Sequence, residues 1–195
     1  MDQLISVLLS VLNFVMRQRQ YLDDDAIKII YKALVRSILE FASCIWSPYF
    51  ATYRSMIKST QKQLIMILNG DYLNRSDNNY VLSPYTDRCA KFDLQTLIRR
   101  RTNACIMFIH SILTGKIDSP MLRSRIVLNS RPLLNNGMIF IKGCRTSHSY
   151  NSQFNNACRM FNAVSSIIDP TLPHNEFQNA LLHIPDSNLS RFLNL

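Results

Sequence analysis

The sequence predicts a mainly α protein: a helical bundle, then a less regular C-terminal part with a short β-hairpin at most. Three observations carry that expectation. Apolar side chains recur at helical spacing through most of the first 115 of 195 residues. Four glycines stand against seven prolines, which suits helices joined by proline-marked turns better than a glycine-rich β architecture. Hydrophobic residues make up 47%, enough to fill a core rather than leave the chain disordered.

The elements follow in order. Residues 4–19 place Ile5, Leu8, Leu9, Leu12, Val15 and Met16 at helical spacing. After Asp23–Asp25 a second helical run, AIKIIYKALVRSILEFASCIW, gathers Ile27, Ile30, Leu34, Ile38, Phe41 and Ile45 on one face, and Ser47-Pro48 breaks it. Trp46-Ser47-Pro48-Tyr49 reads as a fixed corner. A third helix is expected from about Tyr49 to Leu68, with Tyr53, Ile57, Thr60, Leu64 and Ile67 inward and Asn69-Gly70 as its stop. Residues 71–83 are polar and loop-like. Pro84 opens a short helix through Phe92, and Asp93 is placed to cap the next helix, which runs to Gly115. Beyond Pro120 the pattern weakens. MIFIK suits a short strand, GCRTSHSYNS a loop, QFNNACRMFNAVSSII a helix, and Glu176 to Leu182 a last helical stretch after Pro170 and Pro173. The composition shift divides the chain into residues 1–115, helical, and 116–195, irregular and helical.

The net charge of +9 points to an anionic partner, nucleic acid or a membrane surface. The first helix is too short for a membrane span and lacks a basic leader, so no export is expected and the chain reads as intracellular, nuclear or cytoplasmic. Five scattered cysteines, none in a Cys-x-x-Cys pair, read as reduced thiols. Cys144 and His148 have a spacing used by zinc sites, with Cys158 and His174 as distant candidates. Bystander side chains are the preferred reading, and no metal or cofactor is expected.

Tyr21–Asp25, YLDDD, has the Tyr-x-Asp-Asp pattern with which polymerases hold magnesium. Two-metal chemistry needs those aspartates on a hairpin beside a third carboxylate. Here RQRQ precedes and a helix follows, so capping and the positive end of the helix dipole explain them. A better signal is charge placement. Lys28, Lys32 and Arg36 recur every four residues on the second helix, opposite its apolar face, and Arg54, Lys58 and Lys62 do so on the third. A solvated face is the plain alternative to phosphate contact. Arg99, Arg100 and Arg101 add a cluster that spreads around its helix, some of it suited to salt bridges at the core edge. Tyr31, Trp46, Tyr49 and Tyr53 suit packing better than base stacking, and His110 lies within an apolar face. No phosphate loop, His-x-x-x-His pair or nucleophile elbow is present.

The stretch LNFVMRQRQYLDDDAIKIIYKALVRSILEFASCIWSPY resembles the region just downstream of the polymerase palm in jockey-like non-LTR retrotransposon reverse transcriptases of insects, most specifically at YKALVRSILEFASCIWSPY. SPYTDRCAKFDLQTLIRRRTNACIMFIHSILTGKIDSP looks like the next block, and SRPL followed by CRMFNAVSS like the last. The resemblance covers Leu12 to about Phe177. It implies a thumb-like bundle and C-terminal region of a polyprotein whose endonuclease, fingers and metal-binding palm precede it. The catalytic aspartates have no counterpart here, and Asp23–Asp25 match the helix-start region. Accordingly the chain is expected to bind template–primer nucleic acid through backbone contacts from Lys28, Lys32, Arg36, Arg54, Lys58 and Lys62. The parent palm is the expected protein partner, no membrane is expected, and the segment alone is expected to lack polymerase activity. A helical protein-interaction module and a non-functional relic of a mobile element are the rival readings.

Overall fold

A computed structural model describes residues 2–46, 50–70, 83–129 and 137–189. The chain is mainly helical, with one two-stranded antiparallel sheet among the described residues. It forms two compact units. Unit 1 comprises residues 1–41 and 48–98; unit 2 comprises residues 42–47 and 99–195. The composition shift near residue 116 therefore lies inside unit 2.

Unit 1 begins with α1 (Asp2–Arg17), whose Leu8, Leu12 and Val15 are buried at helical spacing. Next comes α2, residues 24–40, in three parts: an α-helical Asp24–Ile30, a π-helical Tyr31–Arg36 and an α-helical Ser37–Glu40. Asp23 is its N-cap, its side chain accepting the Ala26 amide proton at 2.7 Å. The long α3 (Ala51–Asn69) packs on α1, and Gly70, at φ 71°, closes it in the left-handed conformation that glycine adopts without a Cβ clash. Ile57, Thr60, Leu64 and Ile67 are buried as their spacing requires. The short α4 (Tyr85–Lys91) packs on α3. The polar loop expected at 71–83 and the corner at Ser47–Tyr49 fall almost wholly outside the described residues.

Two expectations for unit 1 are corrected. The core-facing row of α2 is Ile27, Tyr31, Val35 and Leu39, all buried, whereas Leu34, Ile38 and Phe41 are 52%, 42% and 77% exposed and Ile45 is exposed too. A π segment, closed by i→i+5 bonds, holds more residues per turn than an α-helix. A four-residue step through it falls short of a full turn, where the same step in an α-helix overshoots, so along the mixed helix positions 27, 31, 35 and 39 stay close to one line and the 3.6-residue stripe is displaced. The second correction concerns Asp93. It sits at φ 53°, outside the extended region an N-cap occupies, and α5 (Leu97–Leu113) begins four residues later.

Unit 2 contains α5 from Arg99 onward, α6 (Pro120–Arg125), β1 (Val127–Leu128), β2 (Ile139–Phe140), α7 (Ser147–Tyr150), α8 (Gln153–Ser165), α9 (His174–His183) and a 3-10 turn at Asp186–Leu189. Gly115, at φ 74°, ends α5 as its sequence suggests. Proline at the first turn of α6 suits a position whose amide has no helical partner. The loop expected at 143–152 contains one turn of helix, α7, because Thr146 caps it by accepting from the Ser149 amide at 3.2 Å. In the sheet Val127 pairs with Phe140 and Leu128 with Ile139. Asn162 on α8 grips β2 at Ile139, accepting from its amide at 2.9 Å and donating to its carbonyl at 2.8 Å. This grip brings Asn162 so close to Gly137 that a Cβ there would lie 2.3 Å from its Cγ, which requires glycine. The core of unit 2 is built from Ile106, Ile109, Phe161, Val164, Phe177, Leu181 and their neighbours.

Candidate nucleic-acid interface

The aspartates of Tyr21–Asp25 are fully used by local structure. Asp23 caps, Asp24 pairs with Arg19 at 2.5 Å, and Asp25 pairs with Lys28 at 2.7 Å. That hydrogen bond holds the Asp25 carboxyl below the ordinary aspartate range and the Lys28 ammonium above the ordinary lysine value. Among the described residues no group of three or more histidine, cysteine, aspartate or glutamate side chains is placed to hold a metal ion. Of the four residues with zinc-like chemistry, His174 lies against His110, Cys158 is buried, Cys144 accepts from Asn155 at 3.5 Å, and His148 is exposed.

The first basic row sits beside the buried row of α2 rather than opposite its core-facing side. Lys28, Lys32 and Arg36 each follow a buried residue by one position, about 100° further around the axis. That placement half-buries the Lys28 and Arg36 stems and puts acids within reach. Lys28 is held by Asp25, and Arg36 lies 3.8 Å from Glu40 one turn on. Lys32 between them is exposed.

The second row is organised differently. Lys58 Nζ stands 5.1 Å from the centre of the Tyr85 ring and Lys62 Nζ 5.9 Å from it, so one aromatic ring on α4 serves two ammonium groups from successive turns of α3. Among the described residues neither lysine has a carboxylate partner within ion-pair distance. Arg54, half-buried, begins the row one turn earlier.

Tyr85 is positioned by a residue that spacing alone did not single out. Gln61 is buried on α3, and its Oε1 accepts from the Tyr85 hydroxyl at 2.7 Å and from the Leu97 amide at 2.6 Å. Its Nε2 donates to the Gln95 carbonyl at 2.8 Å. One glutamine thus joins α3, α4 and the start of α5, and takes over the capping task expected of Asp93. The available signal was a polar residue sitting between Ile57 and Leu64 on the inward face of α3. Burial pushes the Tyr85 hydroxyl far above its ordinary range, so it remains a donor.

Two of the triplet Arg99–Arg101, Arg99 and Arg101, contribute little open charge. Arg99 is 5% exposed and donates to the Leu181 and Ile184 carbonyls at 3.0 and 2.8 Å and to Asp186 at 3.0 Å. It satisfies carbonyls at the end of α9 with a charge of the favourable sign. Arg101, also buried, lies 4.4 Å over the Trp46 ring and donates to the Trp46 carbonyl at 3.2 Å. His110 is enclosed, stacked on Phe177 at 4.1 Å between ring centres, with Nε2 3.1 Å from the Leu172 carbonyl. Burial lowers its pKa.

No helix among the described residues is long and apolar enough to cross a membrane. Comparison with protein-family models, with curated proteins and with solved structures finds no match to this chain.

Proposed function

We propose that the chain is a non-catalytic nucleic-acid-binding segment of an RNA-directed DNA polymerase of the jockey-like non-LTR retrotransposon kind, which grips the phosphates of a template–primer duplex. The observation that carries this reading is the pair Lys58 and Lys62 astride Tyr85, two ammonium groups held one turn apart without a carboxylate partner among the described residues. Backbone recognition needs positive charge at fixed spacing and little base readout. The sequence resemblance supplies the kind of polymerase, and the +9 charge is consistent with a polyanionic partner. Within the six basic candidates, Lys58, Lys62 and Lys32 carry the contacts, because Lys28 and Arg36 already face carboxylates.

The test is binding of the purified chain to an RNA–DNA hybrid duplex, followed by fluorescence anisotropy over a salt series. With three phosphate contacts, log affinity falls with log salt at a slope of about −3. Binding that ignores salt defeats the proposal, and so does magnesium-dependent primer extension by the chain alone.

A second reading has its own observation. Leu34 and Ile38 on α2, with Phe41 just past its end, are exposed apolar side chains, and such a surface suits a protein partner such as the parent palm. Association through it would persist at high salt, since apolar burial does not depend on counterion release. Concentration-dependent aggregation without either kind of binding would favour a relic.

A further inference from the structure

Unit 2 has a charge asymmetry that the duplex contacts proposed for unit 1 do not use. Between Asp118 and Asp169 the chain has no aspartate or glutamate, yet six lysines and arginines fall in that stretch. Like charge along a sequence is commonly no more than a solvated face. What sets this stretch apart is that the fold gathers four of the six around two aromatic rings.

The contacts run continuously from one element to the next. Arg125 and Lys142 each stand two residues from the paired Val127 and Phe140, at the same end of the antiparallel sheet. Arg125 lies 5.8 Å over the ring of Phe154, in the first turn of α8. The next residue, Asn155, donates through Nδ2 to Cys144 Sγ at 3.5 Å and to the Ser149 carbonyl at 2.9 Å. Those two bonds tie the loop bearing Lys142 and Arg145, and also α7, to the same turn of α8. One turn further along α8, Arg159 lies 4.0 Å over the Tyr150 ring and donates to the Tyr150 carbonyl at 2.8 Å. Arg125, Lys142 and Arg145 are exposed, and Tyr150 keeps 44% of its surface open. Among the described residues none of these four cations has a carboxylate within ion-pair distance.

We propose that this face of unit 2 binds single-stranded nucleic acid, with Arg125, Lys142 and Arg145 on the phosphates and an unpaired base stacked on the platform made by Tyr150 and Arg159.

Positive charge alone would accept any polyanion, and the rings narrow the choice. A planar guanidinium lying on a phenol ring makes a surface that is both flat and cationic. An unpaired base can lay its face on such a surface, beside a phosphate held by a neighbouring cation. Bases in a duplex cover their faces with one another and present only edges and phosphates. An acidic peptide would match the charge and leave the ring without a partner. The residues are not those of the duplex grip, so this reading goes beyond that one and stands or falls separately.

The experiment is fluorescence anisotropy of the full-length chain with labelled oligouridylate and oligothymidylate, alongside the RNA–DNA hybrid duplex, over a salt series. The two single strands separate RNA from DNA as the ligand. Lys142→Glu with Arg145→Glu should weaken single-strand binding at least tenfold and reduce its salt slope by about 1.4, with the duplex affected much less. Tyr150→Ala should weaken single-strand binding about tenfold with the salt slope unchanged, and Tyr150→Trp, which keeps a ring, should retain it. That pattern separates stacking from loss of charge and from unfolding. Lys58→Glu with Lys62→Glu should lose the duplex and keep the single strand, so the two surfaces are read independently. The inference is overturned if the chain binds neither single strand, if single-strand affinity survives the reversal in unit 2, or if it follows Lys58 and Lys62 instead. Displacement of the single strand by polyglutamate at equal concentration of charge overturns it too, since the face would then take polyanions without regard to bases.

Discussion

In unit 1 Lys58 and Lys62 of α3 rest over the Tyr85 ring, whereas in unit 2 Arg99 and Arg101 of α5 are enclosed by backbone carbonyls and an indole ring. The acids are also unevenly shared. Most of the aspartates and glutamates belong to unit 1, while the basic residues divide evenly, so unit 2 holds most of the net positive charge. Yet part of that charge is committed within the unit: Arg99 to the end of α9 and Arg101 to Trp46, both buried, and Arg159 at the surface to the Tyr150 carbonyl at 2.8 Å and its ring at 4.0 Å. The difference teaches that net charge is a poor guide to how much positive charge is left open to solvent. A planar guanidinium with five donors is suited to organising several carbonyls at once, while an ammonium on a flexible stem is more readily left to solvent.

The largest effect should come from breaking the internal arginine. Arg99→Ala leaves Asp186 and two carbonyls of unit 2 without their donor and should cost about 3–5 kcal/mol, read as a lowered midpoint in urea. If the loss is below about 1 kcal/mol, Arg99 behaves as a surface cation and the contrast between the units fails. Next is Gln61→Ala, which orphans the Tyr85 hydroxyl and the Leu97 amide and should cost about 2–3 kcal/mol. It should also weaken duplex binding, because Tyr85 then no longer fixes Lys58 and Lys62.

Charge reversal compares the surfaces of the two units. Lys58→Glu with Lys62→Glu should reduce affinity for an RNA–DNA duplex at least tenfold and remove about two units of salt slope. Lys142→Glu with Arg145→Glu, exposed positions in unit 2, should do less. The reverse ranking would move the footprint to unit 2.

The smallest effect concerns pH. His110 has its pKa lowered in the folded state by burial, so its stabilising contribution is complete above the ordinary histidine value of 6.5. It is lost as pH falls below 6.5 towards the folded pKa, because the unfolded chain then binds the proton more readily. His174 shifts in the same direction. A melting temperature that declines from pH 7 to pH 5, with a shallower decline in His110→Phe, is the expected result; identical slopes would assign the acid sensitivity elsewhere.

Much of the fold was legible because it rests on local rules. The mainly helical class, α3 with its inward row and its glycine stop, α9 and the Asp23 cap follow from spacing and from terminal chemistry within a few residues. The short strand within MIFIK was legible too, though its partner Val127–Leu128 was not. The apolar face of α2 was misread for a physical reason. A stripe calculated at 3.6 residues per turn presumes an uninterrupted α-helix, and the π segment Tyr31–Arg36 re-aims every residue that follows it. The basic rows were visible as spacings, but their standing was not.

By itself, then, the sequence determined that the chain is mainly helical, where α3 stops, that Asp23–Asp25 serve a helix start, and which side of α3 is apolar. Tertiary structure alone decided that Gln61 holds Tyr85 beside two lysines, that Arg99 closes α9, and that Gln153 bridges the turn at Ser43 to Cys105 on α5. The reason is range. Caps and periodicities act between residues one or two turns apart, whereas a hydrogen bond across 36 or 87 positions depends on how whole elements pack, which no short window of residues encodes.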